Sequence, residues 1–371
     1  MNDTQRSPRI WMVVGDRLGD NSQVENLVSA LGLPCERRYV RVKDPWVKGK
    51  PKVIPSLHHL DLDASDPLEP PWPDMVITVG RRLSMVALWI RQQSADRTKL
   101  VLVGKPSGSP APFSLIVTSA EVQIAPRPNV MRISLPLLKV DRERIAAAAN
   151  DWKERLDLLP RPLIGILVGG PTNPFVFNRS VCEGLIRSAR EVVDRDGGTP
   201  YVTTSPRTPP RVVRALREGL PPEARFFEWR RGAPDNPYQA LLGLADGFVA
   251  TGDSISMIVE VVKLRKPLAI FALPYGLIHK LDMIRRVGAR WLYQPDGSGM
   301  DGFRRALRRF GGALRILPRT RDFTGIHQLL FDRGLAVPAG QPLRPPEGEV
   351  PNDLQAVAQR VRALVGVPAE S

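Results

Sequence analysis

The residues best suited to chemistry stand at the start of one predicted helix, between two apolar strands. Thr251-Gly252-Asp253-Ser254 form a turn after the strand at 248–250 and supply good helix-capping residues for a helix at 255–264. The first turn of a helix presents N–H groups at the positive end of its dipole, which suits a phosphate. Ser256 and Glu260 share one face of this helix, and a carboxylate beside a phosphate site suits the hydroxyls of a ribose. The alternative is a capped helix with a solvated glutamate.

Two further predicted strand ends carry groups that suit a diphosphate. Gly169-Gly170 end an apolar strand, and paired glycines let a backbone approach a ligand closely. Arg207 and Thr208 follow the next strand and offer a fixed positive charge and a hydroxyl. Ligands of α/β proteins bind at the carboxyl ends of strands, although plain strand-to-helix turns would explain the same residues. The candidate ligand-binding set is Gly169, Gly170, Arg207, Thr208, Ser254, Ser256, Met257 and Glu260.

The first half of the chain has a weaker pattern of the same kind. A glycine-containing loop is predicted at 15–23, after the first strand, but its spacing does not match the dinucleotide-binding glycine fingerprint. Arg81 and Arg82 follow a glycine at another strand end, which favours a site for a phosphate or an acceptor. The predicted acceptor-side residues are Gly19, Arg81 and Arg82.

The order of the predicted elements defines the fold class. Strands and helices alternate in two blocks, which predicts an α/β protein with two Rossmann-like, doubly wound domains facing a cleft. The predicted domains are 1–158, 159–337, and 338–371, the last being a proline-rich linker with a C-terminal helix.

Composition restricts the function classes. The 371 residues are 43% hydrophobic and 25% charged, which is typical of soluble globular proteins, and no apolar run is long enough to span a bilayer. A cytoplasmic protein is therefore expected. The two cysteines and four histidines have no metal-ligand spacing, so no metal site is expected.

The net charge of +15 favours an anionic partner. One basic cluster, at 37–52, contains Trp46, and the aromatic ring beside lysines favours an anionic membrane surface and a peripheral position on the inner membrane face. A second cluster, at 304–309, is equally explained by a solvated helix face. No nucleic-acid-binding motif is present, so nucleic acid is not an expected partner.

Several segments of the second half resemble one known family: Asn236-Pro237-Tyr238, Ala245-Asp246, Asp253-Ser254-Ile255-Ser256-Met257 and Lys266-Pro267. They are similar to the family named for plant "elongated mitochondria", a mitochondrial-fission protein, which is related to GT-B glycosyltransferases. The resemblance extends from about residue 10 to about residue 285. It implies that domain 159–337 is the nucleotide-sugar side, where the candidate ligand-binding set is the donor-binding set and Glu260 holds the ribose. It also implies that domain 1–158 is the acceptor side, and that the C-terminal helix returns to the first domain.

The same resemblance makes Asp20 the candidate catalytic residue. The family's first loop has Gly-His followed by Gln; Gly19 and Gln23 match it, but Asp20 stands where the family has histidine. Asp20 is then either a general base or a helix-cap residue in a protein that has lost activity.

Two functions follow from these observations. The first is a metal-independent GT-B-like glycosyltransferase that uses a nucleotide-sugar as substrate, needs no further cofactor, and acts on a lipid-linked or envelope glycan acceptor. The alternative is a catalytically silent GT-B-like scaffold that recruits partners at a membrane surface. The second-half pattern around Glu260 favours the enzyme, whereas the missing histidine and the basic first half favour the scaffold.

Overall fold

The computed structural model describes residues 7–47, 49, 51–276 and 322–367. Contacts divide the chain into two compact units, residues 1–139 with 351–371, and residues 140–350. The basic cluster at 304–309, Lys48, Lys50 and the helix expected to continue past Gly276 lie outside the described residues. Within the described part, no helix is both long enough and apolar enough to cross a membrane.

The first unit is built on a six-stranded parallel sheet. Its strands along the chain are β1 (Ile10–Val14), β2 (Cys35–Tyr39), β5 (Met75–Val79), β6 (Lys99–Val103), β7 (Leu115–Ser119) and β8 (Val130–Ile133), and the short antiparallel pair β3 (Arg41–Val42) and β4 (Leu60–Asp61) lies outside that sheet. The order across the sheet is β2-β1-β5-β6-β7-β8, with every neighbouring pair parallel. β1 and β5 are buried along their whole length, because strands covered on both faces read as continuous apolar runs.

Helices α1 (Leu18–Leu31), α2 (Asp44–Val47) and α3 (Gly80–Gln93) also belong to this unit. The prediction of a loop at 15–23 is wrong in its second half, because α1 already begins at Leu18. The Asn21 side chain accepts from the Gly15 N–H (3.2 Å) and donates to the Gly15 carbonyl (2.6 Å). These two hydrogen bonds close the turn in a few residues, so Gly19 and Asp20 are helical.

The second unit has its own six-stranded parallel sheet. Its elements are α4 (Arg142–Asp157), β9 (Leu163–Val168), α5 (Arg179–Asp194), β10 (Thr199–Thr204), α6 (Pro210–Gly219), β11 (Arg225–Phe227), α7 (Tyr238–Leu244), β12 (Gly247–Thr251), α8 (Ile255–Lys263), β13 (Leu268–Phe271), α9 (Phe323–Asp332) and β14 (Val337–Pro338). The order β11-β10-β9-β12-β13-β14 has the Rossmann pattern, in which the chain winds outward from the centre in both directions. The predicted fold class is confirmed for each unit by itself: both are Rossmann-like, doubly wound α/β units.

The helix that precedes the second sheet and the last helix of the chain belong to different units. Helix α4 packs against α7, and the second compact unit therefore begins near residue 140 rather than at 159. Helix α10 (Leu354–Leu364) packs against α1 of the first unit, as the resemblance predicted. Its buried Arg362 donates to the Leu31 carbonyl (3.0 Å), and Asp353 before it accepts from the Ser134 N–H (2.7 Å).

Candidate functional site

The strand order of the second unit reverses between β9 and β12, and ligands of open α/β sheets bind beyond the carboxyl ends of strands at such a point. The loops that follow these two strands are joined by short hydrogen bonds. The Gly169 N–H donates to Thr251 Oγ1 (2.8 Å), and the Gly170 N–H donates to Asp253 Oδ2 (3.0 Å). Thr251 Oγ1 in turn donates to Asp253 Oδ1 (2.8 Å).

Both glycines of the first loop are sterically required. A Cβ on Gly169 would lie 2.1 Å from Ser254 Oγ, and a Cβ on Gly170 would lie 2.1 Å from the Arg207 carbonyl oxygen. Both distances are far inside van der Waals contact. The close approach that the sequence predicted is therefore an approach of the glycines to the protein's own neighbouring loops.

Arg207 and Thr208 join the third loop, which follows β10, to the same site. Arg207 Nη2 lies 3.1 Å from Asp253 Oδ2 and 3.4 Å from Ser254 Oγ, and its Nη1 donates to the Thr172 hydroxyl. Thr208 Oγ1 donates to the Gly169 carbonyl (2.6 Å). The Arg207 side chain is still 46% exposed, so the guanidinium is fixed in place and accessible to an anion.

Asp253 is the central residue of this cluster, and sequence reasoning treated it only as a turn residue. Burial raises the pKa of its carboxyl, although the Gly170 N–H and the Arg207 guanidinium act in the opposite direction. Ser254 occupies the N-cap position of α8 but makes no side-chain cap; its hydroxyl donates to Asp253 Oδ2 (3.3 Å) instead. The sequence feature that could have identified Asp253 as a site residue is the Thr-Gly-Asp-Ser segment after a buried strand.

Glu260 has a protein partner. The Tyr238 hydroxyl, at the start of α7, donates to Glu260 Oε2, and the carboxylate is half-buried. Burial raises the pKa of Glu260, although the hydrogen bond from Tyr238 acts in the opposite direction. Of the other predicted residues on α8, Ser256 is exposed and Met257 is half-buried. The alternative given above, a capped helix with a solvated glutamate, is therefore wrong for Glu260.

A small cavity of about 120 Å³ adjoins these residues. It is lined by hydroxyl, amide and aromatic side chains and by one methionine: Thr203, Thr204, Ser205, Pro206, Trp229, Asn236, Tyr238 and Met257. Thr203 and Trp229 were not singled out from the sequence, since the cavity forms only where β10, the end of β11, α7 and α8 meet.

A histidine distant in sequence supports the turn at Gly252. His327 of α9 is buried, and its Nε2 lies 2.8 Å from the Gly252 carbonyl oxygen. Because a carbonyl only accepts, Nε2 carries the hydrogen. Burial lowers the pKa of His327, so the ring is neutral near pH 7. Sequence reasoning missed this residue, since nothing local marks it.

In the first unit, Asp20 lies in the first turn of α1, near the end of β5. Its Oδ2 is 3.9 Å from Arg17 Nη1, and also 3.9 Å from where a Cβ on Gly80 would stand. Gly80 has a φ of +78°, a conformation that favours glycine. Gly19, by contrast, has nothing within 4 Å of the position of a Cβ, so no close approach requires a glycine there.

Arg81 and Arg82 bind backbone carbonyls of the segment 46–51. Arg81 Nη1 donates to Pro51 O (2.9 Å). Arg82 donates to the carbonyls of Trp46, of Val47 (2.8 Å) and of Gly49 (3.3 Å). Burial lowers the pKa of Arg82. The structure thus gives both predicted acceptor-side arginines a role in holding this segment.

Comparisons with known proteins agree with the resemblance seen in the sequence. The family model described as mitochondrial fission ELM1 matches residues 18–285. The mitochondrial fission protein ELM1 of Arabidopsis thaliana is 25% identical over 220 residues, 53% of this chain and 51% of that protein, so the chain spans about half the length of this relative. The uncharacterized protein RP120 of Rickettsia prowazekii is 21% identical over 309 residues, 73% of this chain and 86% of that protein.

Among solved structures, that of E. coli ADP-heptose LPS heptosyltransferase II has a TM-score of 0.42 at 13% identity, and the match covers 72% of this chain and 85% of that one. The match to the family model covers well over half of the chain. The chain therefore belongs to the mitochondrial fission ELM1 family.

Proposed function

We propose that the second unit binds the diphosphate of a nucleotide-sugar and that the protein is a GT-B-like glycosyltransferase. The observation that carries the proposal is the meeting of three loops where the strand order reverses. The Gly169-Gly170 loop, the Arg207 loop and the start of α8 are all joined through Asp253. A half-exposed guanidinium beside a helix N-terminus suits an anion with two or more negative charges.

The proposed chemistry needs no metal ion. Negative charge develops on the diphosphate as the sugar leaves, and a positioned guanidinium together with a helix dipole stabilises such charge. Arg207 would donate to phosphate oxygens while Asp253 and Thr172 keep its side chain in place. In the first unit, Asp20 is the proposed general base, and a lipid-linked or envelope glycan is the proposed acceptor.

Calorimetry against UDP-, GDP-, ADP- and CMP-sugars tests the donor site. One nucleotide should bind the wild-type protein, and Arg207→Ala should weaken binding by about tenfold or more, because a hydrogen bond to a charged group contributes about 1.5–3 kcal/mol. Arg214→Ala, which removes an exposed arginine on α6, is the matched control and should leave the affinity unchanged.

Glu260→Ala should weaken nucleotide binding more than it lowers the free energy of unfolding. If Glu260→Ala weakened binding and lowered the free energy of unfolding by equal amounts, Glu260 would not be a residue of the binding site. If no nucleotide of the panel binds, the glycosyltransferase proposal fails.

A second candidate function, a scaffold at an anionic membrane, is favoured by one surface of the first unit. Val47 is 45% exposed and Ile54 is 43% exposed, and the exposed Lys43 and Lys52 lie in the same segment. Apolar and basic side chains together suit an interface with anionic lipid. Trp46 is half-buried and packs edge-on against His58, with 4.5 Å between ring centroids.

Co-sedimentation with vesicles of neutral or anionic lipid tests this surface. The protein should bind the anionic vesicles, and the double variant Val47→Ser/Ile54→Ser should bind them less. Leu158→Ser, at an exposed leucine of the second unit, is the control and should have no effect. Equal binding to neutral and anionic vesicles would rule this surface out as a site for anionic lipid.

A further inference from the structure

The cavity beside α8 contains a buried hydroxyl without a partner. Thr203 forms part of the cavity wall and is only 2% exposed. Among the described residues, its Oγ1 has no hydrogen-bond partner. Buried polar groups are paired in almost all native structures, because an unpaired one loses its hydrogen bonds to water without replacement. An orphaned hydroxyl in a cavity wall therefore points to a ligand group.

The other walls of the cavity suit a flat, polar-edged ring. Trp229 and Tyr238 are half-buried aromatic residues, and Met257 is a half-buried apolar one. Aromatic faces stack on any nucleobase. The Tyr238 hydroxyl donates its hydrogen to Glu260, so its oxygen keeps the capacity to accept a hydrogen bond from a ligand N–H. These walls offer stacking surfaces together with specific polar contacts.

The cavity adjoins the proposed diphosphate site through shared residues. Ser205 lines the cavity, and its Oγ lies 3.1 Å from Thr208 Oγ1 within the Arg207 loop. Met257 lines the cavity from α8, whose N-cap residue is Ser254. A ligand with its anionic part at Arg207 would therefore have its other end next to the cavity.

We propose that this cavity is the nucleobase subsite of the donor site and that Thr203 is a specificity-determining residue that hydrogen-bonds the edge of the base. The ligand class is a nucleoside diphosphate, free or carrying a sugar. The inference rests on the proposed donor function, and it adds the residues that select the nucleoside.

The test is a comparison of Thr203→Val with Thr118→Val. Valine keeps the shape of threonine and removes the hydroxyl. Thr118 of β7 is the matched control, because it is also fully buried in a parallel strand and its hydroxyl also has no partner among the described residues. Both variants should melt at a higher temperature than the wild type, since each removes an unpaired buried polar group.

The two variants should differ in nucleotide binding. By calorimetry with the nucleoside diphosphate that the wild type binds best, Thr203→Val should bind about tenfold more weakly, the loss expected for one hydrogen bond. Thr118→Val should bind like the wild type. Thr203→Ser, which keeps the hydroxyl, should retain most of the affinity and serves if the valine variant does not fold.

Each result decides the proposal. If the wild type binds a nucleotide and Thr203→Val binds it equally well, the donor site stands and the assignment of Thr203 is overturned. If Thr203→Ser loses as much affinity as Thr203→Val, the hydroxyl is not the reason and the assignment is again overturned. If the wild type binds no nucleoside diphosphate, the proposed function and this inference fall together.

Discussion

The points where strand order reverses in the two units contain the same kinds of residues in different roles. In each, a buried histidine lies close to a backbone carbonyl through Nε2, His59 to Arg82 O in α3 (3.1 Å) and His327 to Gly252 O in the turn before α8 (2.8 Å). The arginines differ. Arg82 donates hydrogen bonds to three backbone carbonyls, whereas Arg207 forms an ion pair with the carboxylate of Asp253 and remains half-exposed.

The difference shows how residue type alone misleads. A guanidinium bound to backbone carbonyls holds a segment of the protein, and releasing it would leave those carbonyls without donors. A guanidinium that pairs with a carboxylate and is still 46% exposed keeps accessible N–H groups, which can donate to phosphate oxygens while the carboxylate stays in place. The second unit is thus the better candidate for an anion site, although both units carry glycine and arginine at strand ends.

The largest effect on stability is expected from substituting two glycines, Gly169 after β9 and Gly19 in α1. Gly169→Ala should lower the free energy of unfolding by about 3 kcal/mol, because its Cβ would collide with Ser254 and Asp253. Gly19→Ala should raise it by about 0.5 kcal/mol, because that helical position has open space and alanine favours helix. Urea denaturation measures both. Equal effects of the two substitutions would contradict the contrast drawn here.

A smaller loss of stability is expected when the pH is lowered from 7 to 5. Burial lowers the pKa of His59 to about 4, against an ordinary value near 6.5. The unfolded chain therefore binds a proton between these values that the folded chain does not, and stability is lost as the pH falls below about 6.5. From pH 7 to pH 5, the wild type should lose about 2 kcal/mol more than His59→Gln. Denaturation at both pH values measures this, and parallel losses would show that His59 is not the titrating group.

The smallest effect is expected at the arginines of the first unit. Arg82→Ala should lower the free energy of unfolding by about 1.5 kcal/mol, because three carbonyls lose a donor. It should also speed amide hydrogen exchange near Trp46 and Gly49. Arg81→Ala removes one such bond and should cost about 0.5 kcal/mol. Hydrogen exchange with mass spectrometry follows the segment directly. Unchanged exchange in Arg82→Ala would mean that other contacts hold it.

Much of the architecture was predictable from local pattern. The strands at 163–168 and 248–250 were identified as apolar runs, and the structure places β9 and β12 there within one residue at each end. The helix at 255–264 was predicted from its periodicity and is confirmed as α8, ending one residue earlier. Gly169 and Gly170 were interpreted as points of close approach to a ligand; the structure shows a close approach to Ser254 and Arg207, and the ligand stays a prediction.

The amino-acid sequence by itself determined the two α/β blocks, the positions of the strand ends and the family, because hydrophobic periodicity and motif residues are properties of neighbouring positions. Only the tertiary structure decided the partners of the polar groups. Strand order brings Asp253 to Gly170 and Arg207, and it brings His327 to Gly252 across 75 residues of chain. The cavity at Thr203 likewise exists only where four elements converge. Hydrogen bonds form between groups that are close in space, and which strand ends become neighbours is a property of the whole fold.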